Sequence, residues 1–315
     1  MRKVIVRQFI PVILLSALCV GAAMAQSVHK KVDSLFVIAS SGEAKFQPLV
    51  QPAIDSIAAM GADIVPHLVD KFDTKSARER QAITNILKKI GKPAVPFLVK
   101  SLSLGNGLVV ERICGALGEI ADSSATPGLL TVVNHPRWQV REQAVGSLGK
   151  TGDQRGDSAV VRALSDTIAQ VRKSAAVACG QLRISASLPG LVHLLGDSFY
   201  GARMPAAASL TKLDTAAVVR AIMDSLNSEN RLLGNLGCEI LGQLATTDAL
   251  DALSDQAYSG TTERRSHAAI AMIKADPNDA RHFRSFYLEF ETDRLNLLKA
   301  ESAIEALQHV DSKSQ

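Results

Sequence analysis

The chain has 315 residues, 47% of them apolar and only 4% aromatic, with a formal net charge of +4. Scarce aromatics and abundant Ala and Leu favour close-packed helices over strands, which draw on β-branched and aromatic residues. Arg2, Lys3 and Arg7 carry most of that charge, leaving +1 for the rest, too little for the basic footprint of a nucleic-acid binder.

Residues 1–25 have the three parts of a secretory signal peptide: a basic start, an apolar run over residues 9–20, and small Ala23 and Ala25 before Gln26. An uncleaved anchor is the alternative, because the apolar stretch approaches membrane-spanning length. Cys19 suggests a lipoprotein, a reading weakened by bulky Leu18 where a small residue is wanted. Cleavage predicts an exported protein, periplasmic or extracellular, with no stable membrane insertion. Residues 26–43 are expected to form a helix that caps the first unit of a repeat.

From residue 44 to 291 the chain repeats. Residues 106–136, 137–167 and 168–198 align without gaps, as do 199–229, 230–260 and 261–291. One column reads Leu117, Leu148, Cys179, Leu210, Leu241 and Met272; the next reads Gly118, Gly149, Gly180, Thr211 and Gly242. Upstream the spacing slips to 30, through Ile57 and Leu87, which makes about eight units of 30–31 residues. Within a unit, Val140, Ala144, Leu148 and Thr151 form the stripe of a first helix, recurring as Val171, Ala175, Cys179 and Leu182. A loop with Gly152 and Asp153 leads to a second apolar run, Val160, Val161 and Leu164, recurring as Leu191, Val192 and Leu195. Each unit is therefore a helical hairpin whose apolar face is covered only by stacking on its neighbours. Residues 292–315 are expected to form a carboxyl-terminal capping helix and a frayed tail, preceded by Phe283, Phe286, Tyr287 and Phe290 on one helical face.

These columns resemble the HEAT repeats, specifically the short HEAT-like repeat found in phycobilisome lyases. The resemblance is carried by Val140–Arg141 and Val171–Arg172, by Arg203 and Arg265 in the same arginine column, by the "ALG" and "SLG" before the loop, and by Asp166 and Asp197. Val110 and Gly234 stand where Arg is expected. The resemblance implies an all-α, right-handed alpha-alpha superhelix with the second helices lining its concave face, and says little about activity.

The stretch "LGKTGDQRGD", residues 148–157, contains no phosphate loop: Ala144 stands where the earlier Gly is required, and a helix precedes where a strand should. Its "RGD" falls at the interhelix turn, where Asp157 is expected to cap the second helix. Cys114, Cys179 and Cys238 read as small buried hydrophobes. The histidines show no metal-binding spacing, with His135 in a capping column, so no metal, cofactor or catalytic residue is expected. One column is polar within the second helices: Asp70, Lys100, Thr131, Arg162, His193, Asp224 and Asp255. Beside it run Phe97, Gly128, Ala159, Gly190, Ala221 and Ala252, mostly small, which is expected to leave room for an extended partner chain. An ordinary solvated face is the alternative. Phe97, Lys100, Thr131, Arg162, His193, Asp224 and Asp255 are the expected partner-binding residues. The expected function is a non-enzymatic scaffold, monomeric, for a protein in the envelope or outside the cell; the alternative is a lyase or lyase subunit acting on a pigment or other small molecule.

Overall fold

The computed structural model describes residues 26–275; the expected leader and carboxyl-terminal cap lie outside the described residues. All regular structure among the described residues is helical, and the chain divides into two units at Thr151/Gly152. The first contains α1 (26–39), α2 (Gln47–Ala58), α3 (Val65–Asp70), α4 (Ala77–Ile90), α5 (Val95–Ser101), α6 (Gly107–Ile120), α7 (Thr126–Val132) and α8 (Trp138–Thr151). The second contains α9 (Asp157–Ala163), α10 (Ala169–Leu182), α11 (Leu188–Leu194), α12 (Tyr200–Leu210), α13 (Thr215–Ser225), α14 (Arg231–Leu244), α15 (Thr247–Ser259) and α16 (Thr262–Ala275). Long first helices alternate with second helices that are mostly short, as in a HEAT-like solenoid.

The turn inside each hairpin has more structure than a loop. Several first helices end on a left-handed residue, Gly91 at φ 70° or, without a glycine, Ala121 at 57°, Arg183 at 52° and Ala245 at 48°. Each donates its own N–H to a carbonyl of the last turn, Leu87, Leu117, Cys179 or Leu241, at a steric cost in the three non-glycine cases. A three-residue 3-10 turn comes next in many units, as at Ser123–Ala125 and Gln154–Gly156, where Asp122 and Asp153 accept the backbone N–H two residues on. Pro66, Pro96, Pro127 and Pro189 then open the second helices, where a missing N–H costs nothing. Asp157 does not cap α9 as expected. The 3-10 turn delays the helix so that Asp157 is its first residue, with Oδ1 buried and lacking a hydrogen-bond partner. Burial, and then the charge of Asp153, raise its carboxyl above the usual range.

The turn between hairpins also recurs in form. His135, Asp166, Asp197 and Ser228, one column of the repeat, each accept the N–H of the residue two further on: 3.1 Å from Arg137, 2.8 Å from Ile168, 2.8 Å from Phe199 and 3.2 Å from Asn230. Arginines of the next first helix then clamp the same turn. Arg141 Nη1 donates to the carbonyls of His135 and Pro136, Arg172 Nη1 to those of Asp166 and Thr167, and Arg203 Nη1 to those of Asp197 and Ser198. Arg80 does the same to Thr74 and Lys75. Where Gly234 interrupts the column, buried Arg264 from α16 donates to the Ser228 carbonyl at 3.0 Å, occupying the space a side chain at Gly234 would need.

The core is the predicted column: Leu117, Leu148, Cys179, Leu210 and Leu241 are fully buried, and Met272 nearly so. Each such large side chain withdrawn from water contributes about 1.5–3 kcal/mol. First helices meet most closely where a glycine notch faces a small residue. A Cβ on Gly118 would lie 2.9 Å from the Ser147 Cβ, one on Gly180 3.0 Å from the Ser209 Cα, and one on Gly242 2.8 Å from the Ala271 Cβ. The two buried serines donate across the seam to the Cys114 and Ala176 carbonyls, each at 2.7 Å. The pairs α6/α8, α10/α12 and α14/α16 are drawn together this way. Helices α12 and α14 are not: Thr211 stands in the glycine column and buried Ile240 opposite. At the amino-terminal end, α1 is fastened to α3 by Asp33, which accepts from His67 at 2.8 Å and pairs with Lys71 at 2.6 Å, while His29 stacks on His67.

Candidate protein-binding surface

The second helices carry the polar column because each is short and buries only one side. Val95 and Leu98 on α5, Leu129 and Val132 on α7, Val160 on α9 and Leu191 on α11 face inward. Polar side chains between them point to solvent. In the first unit Asp70, Lys100 and Thr131 are exposed on α3, α5 and α7; Phe97, a turn before Lys100, is half-buried. In the second unit Arg162, His193, Asp224 and Asp255 are exposed on α9, α11, α13 and α15. Met223 and Tyr258 are exposed apolar neighbours of Asp224 and Asp255.

Some charges on the first helices are engaged. Glu119 on α6 pairs with Lys88 at 3.2 Å and Lys150 at 2.7 Å, and hydrogen bonds from Lys150 and then Lys88 hold its carboxyl below the usual range. Arg172 makes two bonds to Asp197, at 2.7 and 3.0 Å. By contrast, none of Asp70, Lys100, Arg162, His193, Asp224 and Asp255 forms an ion pair or side-chain hydrogen bond among the described residues. Thr131 donates to the Gly128 carbonyl.

The adjacent small column does not provide the expected room. A Cβ on Gly128 would lie 2.7 Å from both Val99 methyls, and one on Gly190 2.7 Å from Leu164 Cδ1. Ala159 and Ala252 are buried. These positions are small so that successive second helices can approach. The small column therefore forms no trough beside the polar column at Gly128 and Gly190.

Sequence reasoning did not find a cavity of about 260 Å³ on the first-helix side of the first unit, lined by Phe72, Arg80, Thr84, Glu111, Arg112, Gly115, Ala116, Glu119, Gln143 and Lys150. The signal for it was Arg112, two residues beyond Val110 where the column lacks its arginine, with Gly115 one turn on. The three cysteines are free and buried, their thiols pushed up to about 12, mainly by burial.

A family model described as HEAT repeats matches residues 96–179 and, overlapping these, 126–211. No curated protein matches the sequence. Among solved structures, human deoxyhypusine hydroxylase in complex with glycerol is 17% identical, with 82% of this chain and 99% of that one covered and a TM-score of 0.36. The YibA protein of Escherichia coli is 17% identical over 81% of this chain and 96% of its own, with a TM-score of 0.49. The complex of CpcE and CpcF of phycocyanin lyase from Nostoc sp. is 16% identical over 77% and 94%, with a TM-score of 0.39. Residues 96–211 thus match the HEAT-repeat model, and the hairpins of each unit share a HEAT-like, all-helical architecture.

Proposed function

We propose that this HEAT-repeat chain is an exported, non-enzymatic scaffold that holds a protein partner against its second helices. The observation that carries the reading is one column: charges such as Glu119 and Arg172 are tied into ladders or turns, whereas the second-helix charges repeat at one position of the hairpin, exposed and unpaired. Lys100, Arg162 and His193 complement the dipoles of their helices from the last turn, and their exposed polar ends remain available to a complementary chain. In the second unit the order runs from cationic Arg162 to anionic Asp224 and Asp255, with Met223 and Tyr258 supplying apolar contact. Such a surface fits a polypeptide with charges of both signs, acidic where it meets Arg162 and basic where it meets Asp224 and Asp255.

Export rests on the reading of residues 1–25 and predicts recovery of the protein outside the cytoplasm on fractionation. The binding surface is tested by reversing Lys100 and Arg162 to Glu and repeating affinity capture from an envelope extract after crosslinking in intact cells. Loss of a captured protein in the reversed variant, with unchanged urea stability, is the expected result. Equal recovery from both proteins overturns the proposal.

A further inference from the structure

The cavity between α4, α6 and α8 holds two guanidinium groups whose binding capacity the fold uses only in part. Arg80 spends Nη1 on the Thr74 and Lys75 carbonyls, and Arg112 spends Nη1 on the Phe72 carbonyl. Their remaining N–H groups have no acceptor among the described residues, although both side chains line the same space. Of the acids in the wall, Glu119 is held by Lys88 and Lys150, while Glu111 has Arg137 as its ion-pair partner, with Nη2 3.3 Å from a buried Oε2 that accepts no hydrogen bond. That leaves Arg80 and Arg112 as neighbouring like charges. Burial first and then the charge of Arg80 lower the Arg112 guanidinium, and Glu111 and Asp73 offset this only in part.

Two planar forks with vacant edges at one cavity are suited to an oxyanion, which each can grip through paired N–H groups. Two cations held together call for two negative charges. At about 260 Å³ the space is smaller than the roughly 300–1,000 Å³ of pockets that hold drug-sized molecules. Gly115 keeps it open, since a Cβ there would meet Gln143 Oε1 at 3.3 Å and any longer side chain would enter the mouth. Thr84 and Gln143 add neutral polar groups to the wall.

We propose that this cavity is a binding site for a small doubly charged oxyanion, a phosphate group or a short dicarboxylate, gripped by Arg80 and Arg112. It is built by first helices of the first unit and does not depend on the second-helix surface being a partner site.

The test is calorimetric titration of the purified protein with inorganic phosphate and, separately, succinate, each against sodium chloride at matched ionic strength. The expected result is saturable binding of one dianion per chain, weakened at least tenfold in both Arg112→Gln and Gly115→Leu. The stronger of the two probes assigns the tetrahedral or the dicarboxylate class. Arg112→Gln also removes the bond to Phe72, so Gly115→Leu is the discriminating variant: it blocks the cavity, keeps both arginines and improves helix propensity. Dianions binding no better than chloride, or binding undiminished in Gly115→Leu, overturns the site.

Discussion

Replacing Asp197 probes the inter-hairpin turn at its most connected point. Its side chain is 7% exposed and that of Arg172 17%, so their two bonds operate largely out of water. The same carboxylate accepts the Phe199 N–H at the start of α12. Burial alone would raise the Asp197 carboxyl, but Arg172 and the Phe199 N–H outweigh it and hold it below the ordinary value. A lowered folded value means the stabilisation is present above the unfolded carboxyl's range, about 3.9, and is lost as pH falls through the folded value. Asp197→Ala leaves Arg172 charged and buried with only the Asp166 and Thr167 carbonyls. Breaking a buried pair from one side costs about 3–5 kcal/mol. The two retained carbonyls put the expected loss at the low end, about 3 kcal/mol, with the lost bond from the Phe199 N–H included. Asp197→Asn keeps an acceptor for Phe199 and gives up the charge, for a loss of about 2 kcal/mol. Urea unfolding followed by circular dichroism, at pH 7 and in steps towards pH 3, measures both. A loss below about 1 kcal/mol for the alanine variant at pH 7, or one that does not shrink in acid, refutes the reasoning.

Other expectations rest on single residues. Asp157, with its raised carboxyl and unbonded oxygen, weakens the fold once it ionises, so Asp157→Asn should raise the urea midpoint at pH 7, by about 1 kcal/mol, and lose this advantage as pH falls below the unfolded carboxyl's range. Ala121→Gly and Ala245→Gly relieve left-handed backbone and should each add roughly 1 kcal/mol by the same assay. Gly180→Ala drives a methyl into Ser209 and should cost about 1–3 kcal/mol, part of which Gly180→Ala combined with Ser209→Gly recovers, as a double-mutant cycle would show. Cys114, Cys179 and Cys238 should resist a thiol reagent in the native protein and react in full in denaturant, as followed by mass spectrometry.

The core was legible because a residue that recurs every 31 positions in a stack meets its own counterpart's environment each time. Leu117, Leu148 and Cys179 are buried for one shared reason. The polar column was legible in the same way, since a second helix that buries Val160 and Leu191 must turn Arg162 and His193 outward. Size was a poorer guide. Gly128 and Gly190 announce a missing side chain but not what fills its place, and the answers, Val99 and Leu164, lie on the preceding hairpin. Asp157 misled because capping rules locate a helix start, and the three-residue 3-10 turn moved that start past the expected position. Arg264 was hidden because it performs the column's clamping from a different register, and Arg112 because its bond to Phe72 lies outside the column altogether, which no alignment of columns displays.

The uneven seams have a mechanical consequence. Bending a stack of hairpins spreads neighbouring helices apart, and the interlocked joints at Gly180/Ser209 and Gly242/Ala271 resist this with tight contact and, in the first, a buried hydroxyl bond. The joint between α12 and α14 lacks such a lock. It is bridged on its flank by Asn230, which reaches the Gly196 carbonyl at 3.0 Å. Under load the second unit therefore behaves as two stiff leaves on a compliant hinge, and curvature changes collect at that joint.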